Sequence, residues 1–499
     1  MGGTGSRRRR GDAVSRALAR DRLGVPAVLF FVLAGVAPLT VAAGVIPTAY
    51  ATTGLTGIPA AFLAVGVVLA VFAAGYVAMA RHVTSAGAFY AFISAGLGRA
   101  AGVAAALVAL LSYSFLQVGL YGALGPAAAA EASARLGLNA PWWAWALAAW
   151  AVVAMLGLQR VEITGRVLGV LLTAEVIVIL AEAVTGLASP AGGHLSFATL
   201  SPADLAEHGL GTFGVLAVVA VLGFVGFEQA PVLAEEARSP RRTIPAATYL
   251  ALGLIAVVYA GASWAMAARA GTGDVTADAA RQGPGLLFGL GGGPLPALAQ
   301  LLFLTSLFAA ALAFHNVVWR YTFALARERL LPAALGRTGA NSVPRAASLA
   351  QSATGLAVIV FFAATGQDPM ARLFFWLGTT GGFGVLVLLL LTSVAVVAFF
   401  ARDPRGENRW RRVIAPSAAA AALAGIVVLA VRNYAALLGV PPGDPAAWAF
   451  PAAYAAVGIA GLGWGLALRA RRPEVYAAVG LGPDAVTARL GAVPRGVPR

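Results

Sequence analysis

Long apolar runs, divided by short connections that are rich either in arginine or in glycine and proline, recur from Gly24 to Arg469. A bilayer core of ~30 Å needs ~20 consecutive apolar residues per helix. Runs of that kind predict spans at 24–50, 58–80, 98–127, 142–158, 161–187, 210–236, 245–268, 297–323, 345–364, 370–400, 413–435 and 447–469, numbered one to twelve below. The chain reads as an all-α integral membrane protein of about 12 transmembrane helices. The stretch from Arg81 to Arg99 is too polar and glycine-rich for a clean span. It predicts an amphipathic helix on the cytosolic face, leading into span three.

Composition agrees with the pattern. Of 499 residues 60% are hydrophobic and 11% charged, against about a quarter charged in soluble domains. A water-soluble fold of this length could not cover its surface. The net charge of +15 would suit a nucleic acid, but its distribution argues for a membrane. Every basic residue is arginine, and the arginines gather in alternate loops: Arg238, Arg241 and Arg242, then Arg327, Arg329 and Arg337, then Arg402 to Arg412. The intervening loops hold Glu131, Asp204, Glu207, Asp274 and Asp278. The positive-inside rule makes the arginine side cytoplasmic. Both termini then lie in the cytoplasm of a multi-pass plasma-membrane protein, with residues 1–23 a disordered basic tail and 470–499 a second cytosolic tail. Arg7 to Arg10 resemble the front of a signal peptide, but the apolar run after Gly24 is too long for a signal core and reads as a retained helix.

Cysteine is absent, and His82, His194, His208 and His315 make no HxH or HExxH spacing. No metal or cofactor is expected. Nucleophile, base and metal constellations of an enzyme are not evident, and a channel would call for charge rings or a filter supplied by symmetric subunits.

Spans one and six stand apart because helix-breaking residues sit at mid-depth: Leu33-Ala-Gly-Val-Ala-Pro38-Leu-Thr-Val-Ala-Ala-Gly44 in one, Gly223-Phe-Val-Gly226-Phe-Glu228-Gln-Ala-Pro231 in the other. They are the first helices of two possible five-helix repeats, 24–187 and 210–400, with 413–469 following. Interrupted segments at corresponding places in two halves point to a transporter's central site. Pro38 has no N–H and its ring crowds the preceding turn. Unpaired backbone at this depth is tolerated where protein, water or a ligand satisfies it. Half-helix N-termini suit a carboxylate, and freed carbonyls suit an ammonium or sodium ion. The plainer alternative is a pair of kinked, glycine-packed helices without a ligand.

Glu228 lies just past the second break. A carboxylate at mid-membrane costs at least ~2.5 kcal/mol, so it is paired, protonated or a proton carrier. Glu175 and Glu182 are seven apart and share a face of span five. Glu175 is deep and is a candidate for coupling or substrate contact, whereas Glu182 near the outer end is expected to reach water. Tyr113, Gln117 and Tyr121 on span three, and Thr305, Ser306, His315 and Asn316 on span eight, are further candidates, although hydroxyls and amides commonly just join membrane helices. Phe374, Phe375 and Trp376 suit an outer gate or an interfacial aromatic belt.

Four stretches resemble the amino acid–polyamine–organocation (APC) superfamily, in its bacterial amino acid permease branch. They are Gly223-Phe-Val-Gly-Phe-Glu-Gln-Ala-Pro-Val-Leu-Ala-Glu-Glu-Ala-Arg-Ser-Pro-Arg-Arg-Thr-Ile-Pro245, Val36-Ala-Pro-Leu-Thr40, Ser85-Ala-Gly-Ala-Phe-Tyr90 and Arg320-Tyr-Thr-Phe-Ala-Leu-Ala-Arg-Glu-Arg-Leu-Leu-Pro332. The resemblance implies a LeuT-like fold of two inverted five-helix repeats plus two C-terminal helices. It implies secondary-active, proton-coupled amino acid transport by alternating access, with polyamine or organic amine transport or exchange as the alternative. The substrate carboxylate would rest on Ala37, Pro38, Leu39 and Thr40, and its amino group on Gly223, Phe224, Val225 and Gly226. Gln117 and Trp376 complete the expected substrate contacts, with Glu228 and Glu175 as coupling and gating residues. Many members have a lysine where this chain has Glu175. That lysine has been viewed as a sodium substitute, so a glutamate there leaves the coupling ion open and fits a proton or a cationic substrate.

Overall fold

Proline opens and glycine closes many of the helices. Pro26, Pro59 and Pro369 lie in first turns, where a missing N–H costs nothing. Gly54, Gly137, Gly366 and Gly439 end helices in the left-handed conformation. This is a computed structural model, and it describes residues 18, 21–201, 209–339 and 342–485. Asp204, Glu207 and His208 therefore lie outside the described residues.

Among the described residues, eleven helices are long and apolar enough to cross a membrane: Val25–Thr53, Ile58–Ala80, Arg99–Leu136, Ile163–Ala188, Thr212–Leu233, Pro240–Ala270, Leu295–Arg327, Arg345–Thr365, Pro369–Arg402, Trp410–Arg432 and Ala446–Arg471. They correspond to eleven of the predicted spans. The remaining one, 142–158, forms a 15-residue helix, Trp142–Leu156. At 1.5 Å per residue that is roughly 22 Å, short of a bilayer core. Pro141 starts it and Gly157 ends it. It still connects opposite ends of the molecule, since Trp142 lies against Gly125 in span three and Gly157 lies against His315 and Ser348.

The ends of the helices form two layers. One gathers the arginines and is called here the basic end. There the Leu23 backbone pairs with Ala237, Arg327 of span eight meets Glu235 after span six, and Arg81 after span two meets Glu407 after span ten. At the opposite end Arg135 after span three donates to the Ala297 carbonyl, Arg269 of span seven donates to Ser189 after span five, and Trp376 of span ten donates to Leu438.

Two peripheral segments are more tightly built in than their sequence suggests. The predicted amphipathic surface helix is the helix Ala88–Leu97, and it is buried along nearly its whole length. A Cβ at Gly96 would lie 2.2 Å from the Ala395 carbonyl oxygen, so this helix meets span ten backbone to backbone. Arg402 donates to the Ala95 and Gly96 carbonyls at its C-terminal end, and the Glu235 carboxylate accepts from the Ala86 N–H near its start. Beyond span twelve, the first part of the 470–499 segment folds back as a short helix, Pro473–Ala478, with Val475, Ala478 and Val479 buried. The Gly480 and Gly482 amides both donate to the Glu328 carboxylate at 3.0 Å. Burial pushes the Glu328 carboxyl up to about 7 despite those bonds. Of the 1–23 segment, Leu18 and Leu23 are buried against the protein, and residues 1–17 with 19–20 lie outside the described residues.

Candidate functional site

Span one breaks where its sequence requires. The helix Val25–Val36 ends at Ala37, whose φ of 53° and ψ of 69° are left-handed, a conformation uncommon for a residue with a Cβ. Pro38 then opens a new turn, Pro38–Thr40, followed by a wider π-type turn, Val41–Val45, and the helix Ile46–Thr53. The first amides of such a half-helix have no helical acceptor, and here neighbouring spans supply one. Thr40 N–H donates to the Ser306 hydroxyl of span eight at 3.2 Å, and the two hydroxyls lie 3.1 Å apart. Leu39 N–H and the Ser306 hydroxyl hydrogen-bond the Glu175 carboxyl from span five. A carboxyl at a helix N-terminus also meets the positive end of the helix dipole. One Glu175 oxygen, Oε2, is left without a partner, as is the buried hydroxyl of Tyr259 on span seven. Tyr259 lies within electrostatic reach of Glu175.

Span six breaks between the helix Gly209–Phe224 and a tighter 3-10 segment, Phe227–Leu233. Gly226 at the junction has φ of 125°, which glycine adopts without penalty. A Cβ there would sit 2.6 Å from the Val36 nitrogen and 2.7 Å from the Gly35 carbonyl carbon. The two breaks thus touch backbone to backbone. Glu228 is fully buried beside this contact, and both its oxygens are engaged. Oε2 accepts from the Gly226 N–H at 2.7 Å and Oε1 from the Tyr113 hydroxyl of span three at 2.8 Å. The Tyr76 hydroxyl of span two donates to the Glu228 carbonyl at 2.7 Å. The adjacent Gln229 packs its amide on Gly35, within 2.6 Å of where a Cβ would stand, and its Nε2 has no partner.

The breaks therefore bring together Ala37, Pro38, Leu39, Thr40, Gly223, Phe224, Val225, Gly226, Glu228 and Glu175. Gly223 packs on Phe62 and Val41, and the Phe224 ring meets Phe62 and Tyr259 with centroids 6.2 and 6.0 Å away. Two expected contacts go elsewhere. Gln117 donates to the Tyr121 hydroxyl and accepts from Gln351 of span nine, both at 2.9 Å, so its amide joins two helices. Trp376 bonds Leu438, stacks edge-on with Phe450 of span twelve and carries Arg372 over its ring, a set of contacts at the end opposite the arginines. Tyr76, Gln229 and Tyr259 escaped sequence reasoning. Gln229 carried the same signal as Glu228, a polar side chain directly after a mid-depth break.

Below the breaks, toward the basic end, two buried ion pairs tie span six to span eight. Arg320 holds Glu236 at 2.7 Å and also donates to the Asn316 carbonyl, while Arg327 holds Glu235 at 2.6 Å. No group of three or more His, Cys, Asp or Glu suited to a metal occurs among the described residues. What the site offers instead is two buried carboxyls, one on each side of the span-one break, and unwound backbone between them. Such a site can hold a zwitterion and exchange a proton. No curated protein matches the chain. The amino acid permease family model matches residues 27–472, and since that is most of the chain, the protein belongs to this family, with its LeuT-like fold.

Proposed function

We propose that the chain carries amino acids across the plasma membrane, with both termini in the cytoplasm, by proton-coupled alternating access around the breaks of spans one and six. The family membership supports amino acid transport. The observation that carries the finer reading is the hold of Glu175 on the Leu39 amide at the start of the second half-helix of span one. That half-helix N-terminus is where a substrate carboxylate would bind, and two carboxylates cannot share it while both are charged. Protonation of Glu175 removes the conflict, so proton and substrate bind together. The substrate's ammonium then lies toward the carbonyls of Gly223 to Gly226, and Glu228, held by Tyr113 and Gly226, reports occupancy to the inner half of span six.

Uptake into proteoliposomes under an imposed pH gradient tests this. Glu175→Gln is expected to transport without stimulation by the gradient, and Glu228→Gln to lose proton-driven uptake. Undiminished gradient-driven transport in both variants would sink the assignment. A second reading, carriage of an organic amine, is favoured by the partnerless Glu175 Oε2, which can pair a substrate cation. A thermal-shift comparison of amino acids with diamines separates the two, because a ligand of the folded state stabilises it.

A further inference from the structure

Glu182 does not do what its sequence position suggests. Near the end of span five it should reach water, yet it is 0% exposed and neither carboxylate oxygen closes a hydrogen bond to a side chain, the Gly291 backbone being its one polar neighbour among the described residues. A carboxyl kept for structure finds donors, as Glu328 does at Gly480 and Gly482. Glu182 lies seven residues from Glu175, roughly 10.5 Å along the same helix and almost on the same face. Glu175 also has an oxygen without a partner. Span five thus carries two buried carboxyls with unused oxygens in one line, running from the span-one break toward the end opposite the arginines.

The cover over Glu182 is thin. A Cβ on Gly291 would stand 2.6 Å from its Oε2, and the next residues, Gly292 and Gly293, are exposed. Solvent is one side-chain-free backbone away. Among the described residues the surroundings supply no counter-charge. The loop 285–294 and the outer half of span eight, 295–313, contain no ionisable side chain. On span one only Tyr50 qualifies, and its hydroxyl donates to the Ser263 carbonyl. On span seven Tyr259 faces Glu175, and Arg269 is turned to the Ser189 carbonyl. Beyond the Gly291 backbone, the described residues offer the Glu182 oxygens no partner, which leaves them open to a proton.

We propose that Glu182 is the outer carboxyl of a proton path along span five that loads Glu175. The path rests on the proton-coupled reading above. Val178 and Ile179, buried between the two carboxyls, offer no relay group, so water admitted past Gly291 completes the connection. A hydronium ion of the outer solvent gives its proton to the Glu182 carboxylate and becomes water, Glu182 passes that proton through the admitted water to the Glu175 carboxylate, and Glu182 returns to the carboxylate form with Glu175 neutral. No electrons move and no other reactant is consumed.

The test uses the full chain in proteoliposomes and a radiolabelled mixture of the common amino acids. Gradient-driven uptake is compared with counterflow at equal pH on both sides, which needs no net proton movement. Glu182→Gln is expected to lower gradient-driven uptake about tenfold or more, as loss of a proton-transfer group does, while counterflow persists. Glu182→Asp should restore part of the drive, and Gly291→Ala, which presses a methyl on Oε2, should reduce it. Equal gradient-driven uptake in Glu182→Gln and the parent overturns the path. Loss of counterflow together with uptake in Glu182→Gln, unrelieved in Glu182→Asp, makes the residue structural and overturns it as well. A parent that shows no gradient-driven uptake overturns the coupling reading and the path with it, and is recognised before any variant is made.

Discussion

The two ends of this transporter are fastened by different chemistry. At the basic end the ties are buried and charged: Arg320 with Glu236, Arg327 with Glu235, and Glu328 with two backbone amides of the C-terminal segment. At the other end they are single bonds from a side chain to a carbonyl, as Arg135 makes to Ala297, Arg269 to Ser189 and Trp376 to Leu438. Separating a buried ion pair strands charge in a medium that cannot solvate it, whereas water replaces an exposed bond at little cost. The molecule is therefore locked at its basic end and loosely closed at the other. The basic end is thus the costlier of the two to open.

The sharpest way to break this comparison is to remove one partner of a buried pair. Arg320→Met removes the guanidinium from the buried Arg320–Glu236 pair and should destabilise the protein by about 3–5 kcal/mol, read as a lower melting temperature in detergent. Adding Glu236→Gln should recover most of the loss, and an unchanged melting temperature in the single variant would remove the basis of the lock. Gly226→Ala comes next. It places a Cβ 2.6 Å from the Val36 nitrogen at a φ of 125°, a strain of about 1–3 kcal/mol before the clash is counted, and amino acid uptake should be abolished.

A smaller effect concerns the C-terminal segment. The Glu328 carboxyl is raised from 4.5 to about 7 when docked, so the docked state binds its proton more tightly than a released one. Its contribution to docking is fully present below about 4.5 and fades as pH rises through about 7. Because the chain has no cysteine, a nitroxide on Ala477→Cys reports this cleanly. Its mobility should rise between pH 5 and 8 at a range set by that proton, and Glu328→Gln should flatten the response. The smallest effect is expected at the loose end, where Arg135→Ala should change stability by less than ~1 kcal/mol. A larger loss there would erase the contrast between the ends.

The spans and both breaks were legible because each depends on local composition. Apolar length sets a span, and Pro38 or Gly226 at mid-depth interrupts one whatever surrounds it. Glu228 was legible through depth alone. Gln117 reads in the sequence as a substrate contact, and the structure engages its amide with Gln351, 234 residues away, a partner that nothing near Gln117 in the chain announces. Trp376 likewise has partners distant in the chain, Leu438 and Phe450. Glu182 failed differently. Its depth was judged from its own helix, while its burial comes from the loop around Gly291. The short fourth span shows the limit of apolar counting, since Gly157 stops the helix while the hydrophobic run continues into Leu158.

The contact between Gly226 and the Gly35–Val36 backbone has a mechanical meaning. Side chains in a packed interface absorb small displacements by changing rotamer, and at this joint only the short Val36 branch and the Gln229 amide lie beside the backbone contact. Little slack separates the two broken spans, so the pair sits like a pin in its bushing. That close approach ties the position of span one to that of span six at this one point.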